Sequence, residues 1–443
     1  MTKRGGRTDI IVAVDIGSTV VKIARVSTEG ELLHQEFHPR DFDAGIAAQV
    51  ESLLDTPEVK PDDANVLVCS SANGGLRVGI VCLSKLFSGA VLRNQVLLAG
   101  ANPIFVYDFD DVDGDTRRVD ILLVGGGVDC DEAEPLARRL AAFRPEVFNF
   151  ESVLWAGNRS LTQAFRDRCP DARPISNPLA TDLIGRETGV TSVLRRAYLD
   201  NIIHKEGISG LRPTVSGKIV PTPEAVNRGF YRAVSNQSSF HTAAPCLLMD
   251  IGGATTDIHY TVDVVLDSSE SRPQAGVSVA RYVFTDLGIS ASKDSTVLAM
   301  RRHPRIYEFL SIVLEHEVES VYRLLREGEY EPSPQLLSYG CLFVALERFS
   351  SGGDDGLPAG DLRKLAQLVL TGGAAQMLDP KVVAGVFGLF LSDYSQNAAV
   401  SIDARYRFWV DGMVAEAARQ SETGADQETR ESRAMASAIL AER

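Results

Sequence analysis

The chain has 443 residues, a length that suits roughly three domains and leaves ample room for a buried core. Its 59 acidic and 45 basic residues give a formal net charge of −14, and no Lys/Arg block runs anywhere along it, which argues against a nucleic-acid partner. At 44% hydrophobic and 23% charged, with its longest apolar run (Val382 to Leu391) about half a membrane span, it reads as a globular protein with no membrane partner.

Lys3, Arg4 and Arg7 precede an apolar stretch, but Asp15 interrupts that stretch and no small-residue cleavage site follows, so a cytoplasmic chain is expected. The cysteines at 69, 82, 130, 169, 246 and 341 form no CxxC and no Cys/His pair at zinc spacing, which predicts reduced, buried thiols. Ile10–Val14 and Val20–Val26 predict a strand, a tight turn and a second strand. Val66–Cys69 and Leu76–Leu83 read as further strands around a Ser-Ser-Ala-Asn-Gly-Gly turn, and Ser84–Ala99 has helical spacing.

From about residue 100, strands and helices alternate: strands at Ile104–Tyr107, Val119–Val124 and Val153–Ala156, and helices at Glu132–Phe143 and from Ser160. This predicts a small parallel α/β unit. Gly125-Gly126-Gly127 lies where a strand gives way to its helix, as either a phosphate-holding loop or a close-packed turn. Residues 176–240, rich in proline, read as a helical connector. Strands follow at Cys246–Asp250, Asp257–Leu266 and Val277–Phe284, the last two separated by the polar loop Asp267–Gly276. Helices are then expected at Arg305–Arg326 and Pro334–Ser350, a glycine-rich loop at Gly352–Gly360, and a buried strand at Leu365–Leu370. After Met413 the sequence turns polar.

Two segments repeat one pattern. Val14-Asp15-Ile16-Gly17-Ser18-Thr19 and Met249-Asp250-Ile251-Gly252-Gly253-Ala254-Thr255-Thr256-Asp257 each end an apolar strand in Asp, then turn through glycine and hydroxyls into another strand. Glycine lets backbone N–H groups approach phosphate oxygens, hydroxyls add donors, and a strand-end Asp can hold hydrated Mg²⁺ or orient the attacking water. Asp15 and Asp250 are therefore the candidate catalytic residues and, with Asp257, the candidate Mg²⁺ ligands. Asp257 is equally suited to capping its turn. Lys22 either points its ammonium at the phosphates or is a solvated strand residue. A third element, Thr371-Gly372-Gly373, brings bare backbone to the end of a buried strand, where a flat ligand such as adenosine can lie.

In this order the three segments resemble the phosphate-1, phosphate-2 and adenosine motifs of the actin, Hsp70 and sugar kinase superfamily. Further stretches bring a closer resemblance: Cys69-Ser70-Ser71-Ala72-Asn73-Gly74-Gly75, Asp120 to Gly127, Ala156-Gly157-Asn158-Arg159-Ser160, Pro221-Thr222-Pro223, Asp250 to His259 and Asp286-Leu287-Gly288. From about residue 10 to about residue 415 the chain is similar to the glutamate mutase accessory proteins (GlmL or MutL, unrelated to the mismatch-repair MutL). It departs from them at Gly126-Gly127-Val128-Asp129-Cys130-Asp131, where they usually carry Gly-Gly-Thr-Asp-Gly-Gly.

The resemblance implies an α/β fold of duplicated ribonuclease H-like, actin-like ATPase subdomains around an ATP cleft, with an inserted small parallel α/β unit. The expected boundaries are 8–65 for the first subdomain, 66–175 for the insertion, 176–240 for the connector, 241–415 for the second subdomain and 416–443 for a polar tail. It also implies binding of ATP or ADP with Mg²⁺, weak ATPase activity, and service to subunits of an adenosylcobalamin-dependent carbon-skeleton mutase. The rival reading is a metabolite kinase using the same cleft.

Overall fold

The computed structural model describes residues 10–17, 20–41, 43–56, 65–71, 76–99, 101–109, 115–129, 134–180, 189–205, 211, 219–238, 241–265, 279–352, 359–391 and 398–419. These fall into two units, one of residues 1–72, 202–240 and 407–443, the other of residues 73–201 and 241–406.

The first unit is built on the N-terminal apolar runs. β1 (Ile10–Ile16) is buried from Ile11 onward and returns antiparallel as β2 (Val20–Ser27). A third strand, β3 (Leu32–Pro39), pairs with β2 at the sheet edge. Its sequence, LLHQEFHP, is partly exposed throughout and carries no apolar alternation, so the sequence did not announce it. β4 (Asn65–Ser70) lies parallel to β1. The fifth strand, β10 (Val220–Pro221), comes from far along the chain and gives the order β10-β4-β1-β2-β3. From it the helix Thr222–Val234 continues, with Pro223 in its first turn, where proline removes no helical hydrogen bond.

The second unit holds two sheets. One takes β5 (Arg77–Cys82), β6 (Asn102–Asp108), β7 (Asp115–Gly125), β8 (Phe148–Trp155) and β9 (Arg173–Pro174), all parallel, in the order β6-β5-β7-β8-β9. Renumbered from its own start this is 2-1-3-4-5, one of the two common doubly wound orders. Its aromatic core stacks Trp155 on Phe165 at 4.6 Å and Phe143 on Phe165 at 5.6 Å.

The other sheet takes β11 (Cys246–Ile251), β12 (Thr256–Thr261), β13 (Val279–Phe284), β14 (Gln367–Thr371) and β15 (Ala399–Ile402) in the order β13-β12-β11-β14-β15. Strand for strand this repeats the first sheet. β11 corresponds to β1, each is followed by an antiparallel hairpin partner, and each has a parallel neighbour on its other side, β14 or β4. The α/β fold is thus a duplicated ribonuclease H-like sheet plus an inserted parallel α/β unit, as the sequence implied.

Several stretches join a unit other than the one expected. Residues 66–70, expected to open the insertion, belong to β4 of the first sheet, because their ladder is with β1. Residues 219–234 supply β10 and its helix to the first unit rather than forming a separate connector. The helix at 407–419, assigned from sequence partly to the second subdomain and partly to the tail, clusters with the first unit. The single helix expected over Arg305–Arg326 is two, Ile306–Val313 and Val318–Glu327, broken before Glu317, whose φ is 62°.

Candidate functional site

Both hairpins turn in the same way. Gly17 N–H donates to the Val20 carbonyl at 2.9 Å, and Gly252 N–H donates to the Thr255 carbonyl at 2.9 Å. The residue two before each glycine, Asp15 or Asp250, faces a β2 or β12 residue across the hairpin: Asp15 pairs with Lys22, and Asp250 with Asp257. A Cβ on Gly17 would lie 2.8 Å from the Val20 carbonyl oxygen, and one on Gly252 would lie 3.1 Å from that of Thr255. The glycines are therefore needed for the turns themselves. Ser18 and Thr19 lie outside the described residues.

At the first turn, Asp15 is fully buried. Lys22 Nζ sits 2.7 Å from Asp15 Oδ2, Thr222 Oγ1 donates to Oδ1 at 2.5 Å, and the Cys69 thiol donates to Oδ1 at 3.5 Å. Burial, then the Asp15 charge, drives the Cys69 pKa well above the ordinary thiol value, so this cysteine is a neutral donor. Arg40 Nη1 donates to the Gly17 carbonyl at 2.9 Å. Sequence reasoning missed Thr222, Cys69 and Arg40 as parts of this cluster. The signal for Thr222 was present in Pro221-Thr222-Pro223, whose prolines set the strand end and the helix start around a hydroxyl that reaches Asp15.

At the second turn, the Asp286-Leu287-Gly288 segment lies directly underneath. Thr256 Oγ1 donates to the Leu287 carbonyl at 3.1 Å, Ser290 N–H to the Gly253 carbonyl at 2.8 Å, and Ser292 Oγ to the Ala254 carbonyl at 2.5 Å. A Cβ on Gly288 would lie 2.6 Å from the Gly253 oxygen. Asp257 accepts from Thr255 Oγ1 at 3.2 Å and from Arg281 Nε at 2.8 Å. Thr371 Oγ1 donates to Asp403 Oδ2 at 3.0 Å just before the glycine pair, another contact that no sequence motif marked.

Gly125-Gly126-Gly127 resolves as the packed turn. Cβ atoms there would lie 3.0 Å from the Ala156 backbone, 2.7 Å from Leu83 Cβ and 2.3 Å from Leu136 Cδ2 respectively. Asn158 and Arg159 hold the following residues, Asn158 Nδ2 on the Val128 carbonyl at 2.7 Å and Arg159 Nε on Asp129 at 2.7 Å. Among the described residues no group of three or more His, Cys, Asp or Glu side chains could hold a metal ion, and no helix is long and apolar enough to cross a membrane.

A family model described as MutL protein matches residues 11–424. The chain belongs to the MutL protein family. A curated relative, Protein MutL of Clostridium tetanomorphum, is 24% identical over 276 residues, which cover 58% of each protein. The chain therefore spans less than two thirds of that relative. Solved structures are similar at low scores. Component A of the (R)-2-hydroxyglutaryl-CoA dehydratase of Acidaminococcus fermentans is 10% identical with a TM-score of 0.31, covering 92% of this chain and 97% of that one. A ROK family glucokinase from Streptomyces griseus, solved with glucose and AMPPNP, is 12% identical with a TM-score of 0.34, covering 93% and 99%.

The two glycines of the third motif differ sharply in this MutL-family chain. Gly372 has φ 89°, and a Cβ on it would lie 2.2 Å from Asp250 Oδ1 and 2.7 Å from the Ile251 carbonyl oxygen. Among the described residues, a Cβ on Gly373 would meet only the Tyr406 hydroxyl, at 3.9 Å. Gly372→Ala is expected to destabilise the second unit by about 3 kcal/mol, because it adds a strained φ to an overpacked contact. Gly373→Val is expected to leave thermal unfolding near wild type and to weaken adenine-nucleotide binding in calorimetry. Unchanged binding by Gly373→Val would remove Gly373 from the site.

Proposed function

We propose that this chain binds Mg·ATP through the two Asp-x-Gly turns and the Thr371-Gly372-Gly373 end of β14, hydrolyses it slowly, and serves as a reactivating accessory protein for an adenosylcobalamin-dependent carbon-skeleton mutase. The observation that carries the nucleotide part is the duplicated turn, with the same glycine-to-carbonyl bond and the same Asp register at equivalent places in two equivalent sheets. Family membership supports the mutase part.

Asp250, half-buried at the end of β11, has its Oδ1 close to the backbone of Gly372, where the second turn and the third motif meet, and on that placement it is assigned to Mg²⁺ and to orienting water. Asp15 pairs with Lys22 and Asp257 with Arg281. One carboxylate suits Mg²⁺, which keeps several waters and is otherwise held by phosphate oxygens. When bound, the ion neutralises charge on the β- and γ-phosphates. The chain's own part is to offer backbone N–H groups of the turn after Gly252 and the Thr255 hydroxyl, and to hold Lys22 in place through Asp15 and Thr222; the Thr256 hydroxyl, expected from the sequence to face the phosphates, is instead buried on the Leu287 carbonyl.

Two measurements test this reading. Calorimetry with Mg²⁺ and ATP should give saturable binding, and no binding at millimolar nucleotide overturns it. A cobalamin mutase inactivated by turnover should regain activity with this protein, ATP, Mg²⁺ and fresh adenosylcobalamin, and not without ATP. ADP release that requires an added small-molecule acceptor, with no rescue, would instead establish the metabolite kinase.

A further inference from the structure

Arg281 is a charged side chain in a place where charge is costly. It sits on β13, is 7% exposed, and lies diagonally across the β12–β13 ladder from Asp257, which pairs directly with Val283. Its Nε donates to Asp257 Oδ1 at 2.8 Å and its Nη2 to the same oxygen, while Nη1 donates to the Leu97 carbonyl at 3.3 Å. Leu97 is in the last turn of the helix Ala90–Leu98, which follows β5 of the inserted sheet. One guanidinium thus joins a carboxylate beside the second phosphate turn to the carbonyl end of a helix in another sheet, where a cation is favoured.

The neighbouring contacts make the joint stiff. Arg93 of the same helix lies over the Tyr282 ring at 3.9 Å, and Thr191 Oγ1 donates to Gln95 Oε1 at 2.5 Å in a buried setting. His259, directly opposite Arg281 on β12, is held neutral, since burial and then the Arg281 charge drive its pKa well below 6.5. It therefore adds no second charge for Asp257 to face. A buried ion pair is seldom a gain in stability over apolar packing, so what this one secures is position. At its far end the helix is entered through Lys85–Gly89, where Leu86 and Phe87 are 85% and 63% exposed.

We propose that Arg281 is a positioning residue of the second phosphate turn and the link by which the nucleotide state of that turn reaches the helix Ala90–Leu98. This rests on the nucleotide reading above. Thr255 and Asp257 share a hydrogen bond, so a phosphate that draws on the Thr255 hydroxyl changes what Asp257 offers Arg281, and Arg281 has the helix end as its other acceptor. Lysine can replace the charge but not the planar fork that serves both acceptors at once.

The test is hydrogen–deuterium exchange on the full chain with and without Mg·AMPPNP, with calorimetry on the same samples. The proteins are wild type, Arg281→Lys, and Arg281→Met combined with Asp257→Asn, which leaves no buried charge unpaired if the single change fails to fold. In wild type, nucleotide should alter exchange over residues 90–98 by about tenfold, the size of an ordinary coupling between sites. Both variants should bind nucleotide yet lose that response, and Arg281→Lys should lower kcat with little change in KM. Wild-type protein that binds nucleotide without a response at 90–98, or a response that survives in the double variant, overturns the link. If wild-type protein binds no nucleotide, the nucleotide reading itself fails and takes the link with it.

Discussion

Gly229→Ala is expected to unfold the first unit far more readily than its one added methyl suggests. Gly229 lies in the helix Thr222–Val234, and a Cβ on it would sit 1.8 Å from the Phe408 carbonyl oxygen. The contact is reciprocal, since a Cβ on Gly412 would sit 1.9 Å from the Ala225 carbonyl oxygen. The two helices, Thr222–Val234 and residues 407–419, therefore cross backbone to backbone. Neither offending atom belongs to a side chain that can rotate away, so one helix must shift. Overpacking of this kind costs about 3 kcal/mol.

The reporter for this experiment is built in. The chain has two tryptophans, Trp155 in the second unit and the buried Trp409 in the 407–419 helix, so a Trp155→Phe background makes urea unfolding by fluorescence specific to the first unit. A Gly229→Ala midpoint equal to that of the Trp155→Phe parent would show that the crossing can relax. The consequence reaches the candidate site, since the helix that Gly229 keeps in place begins at Thr222, the donor to Asp15. Gly229→Ala should therefore also weaken nucleotide binding, though it touches no ligand.

What the sequence made legible, and what it hid, follows from how local each feature is. Asp15, Gly17, Asp250 and Gly252 could be read because strand, turn and strand are contiguous, and a six-residue window holds both the apolar period and the glycine that the turn requires. The membership of residues 66–70 and 219–234 could not, because a short apolar strand carries no mark of which sheet it will join. That choice is made by a ladder with β1, more than fifty residues away for β4. The partners of the candidate carboxylates were hidden for the same reason. Lys22 was visible seven positions after Asp15, whereas Thr222 and Arg281 reach their carboxylates only through the assembled sheets. Gly125 to Gly127 shows the converse. Its run of glycines looks like a ligand loop, yet the surrounding backbone and Leu136 account for all three.

Exchanging each strand-end aspartate for asparagine should separate two roles that the sequence left equivalent. Asp250 is half-buried beside the turn Gly252 to Thr256, whereas Asp15 is fully buried and shared among Lys22, Thr222 and Cys69. Asp250→Asn preserves shape and removes the charge assigned to orient Mg²⁺ and water. ATP affinity should therefore change little, while turnover falls by about 10² to 10⁴-fold, the span usual for a group that handles the attacking water. Asp15→Asn removes the anion that fixes Lys22 and leaves a largely buried ammonium facing an amide, which should lower stability by about 1 to 3 kcal/mol. Because Lys22 is then no longer held, nucleotide affinity should fall with it. Calorimetry, phosphate release and thermal unfolding on the two variants decide the matter together. Equal losses of affinity and turnover in both would contradict the division, and an Asp15→Asn protein with wild-type stability would mean that the Lys22 pair holds nothing in place.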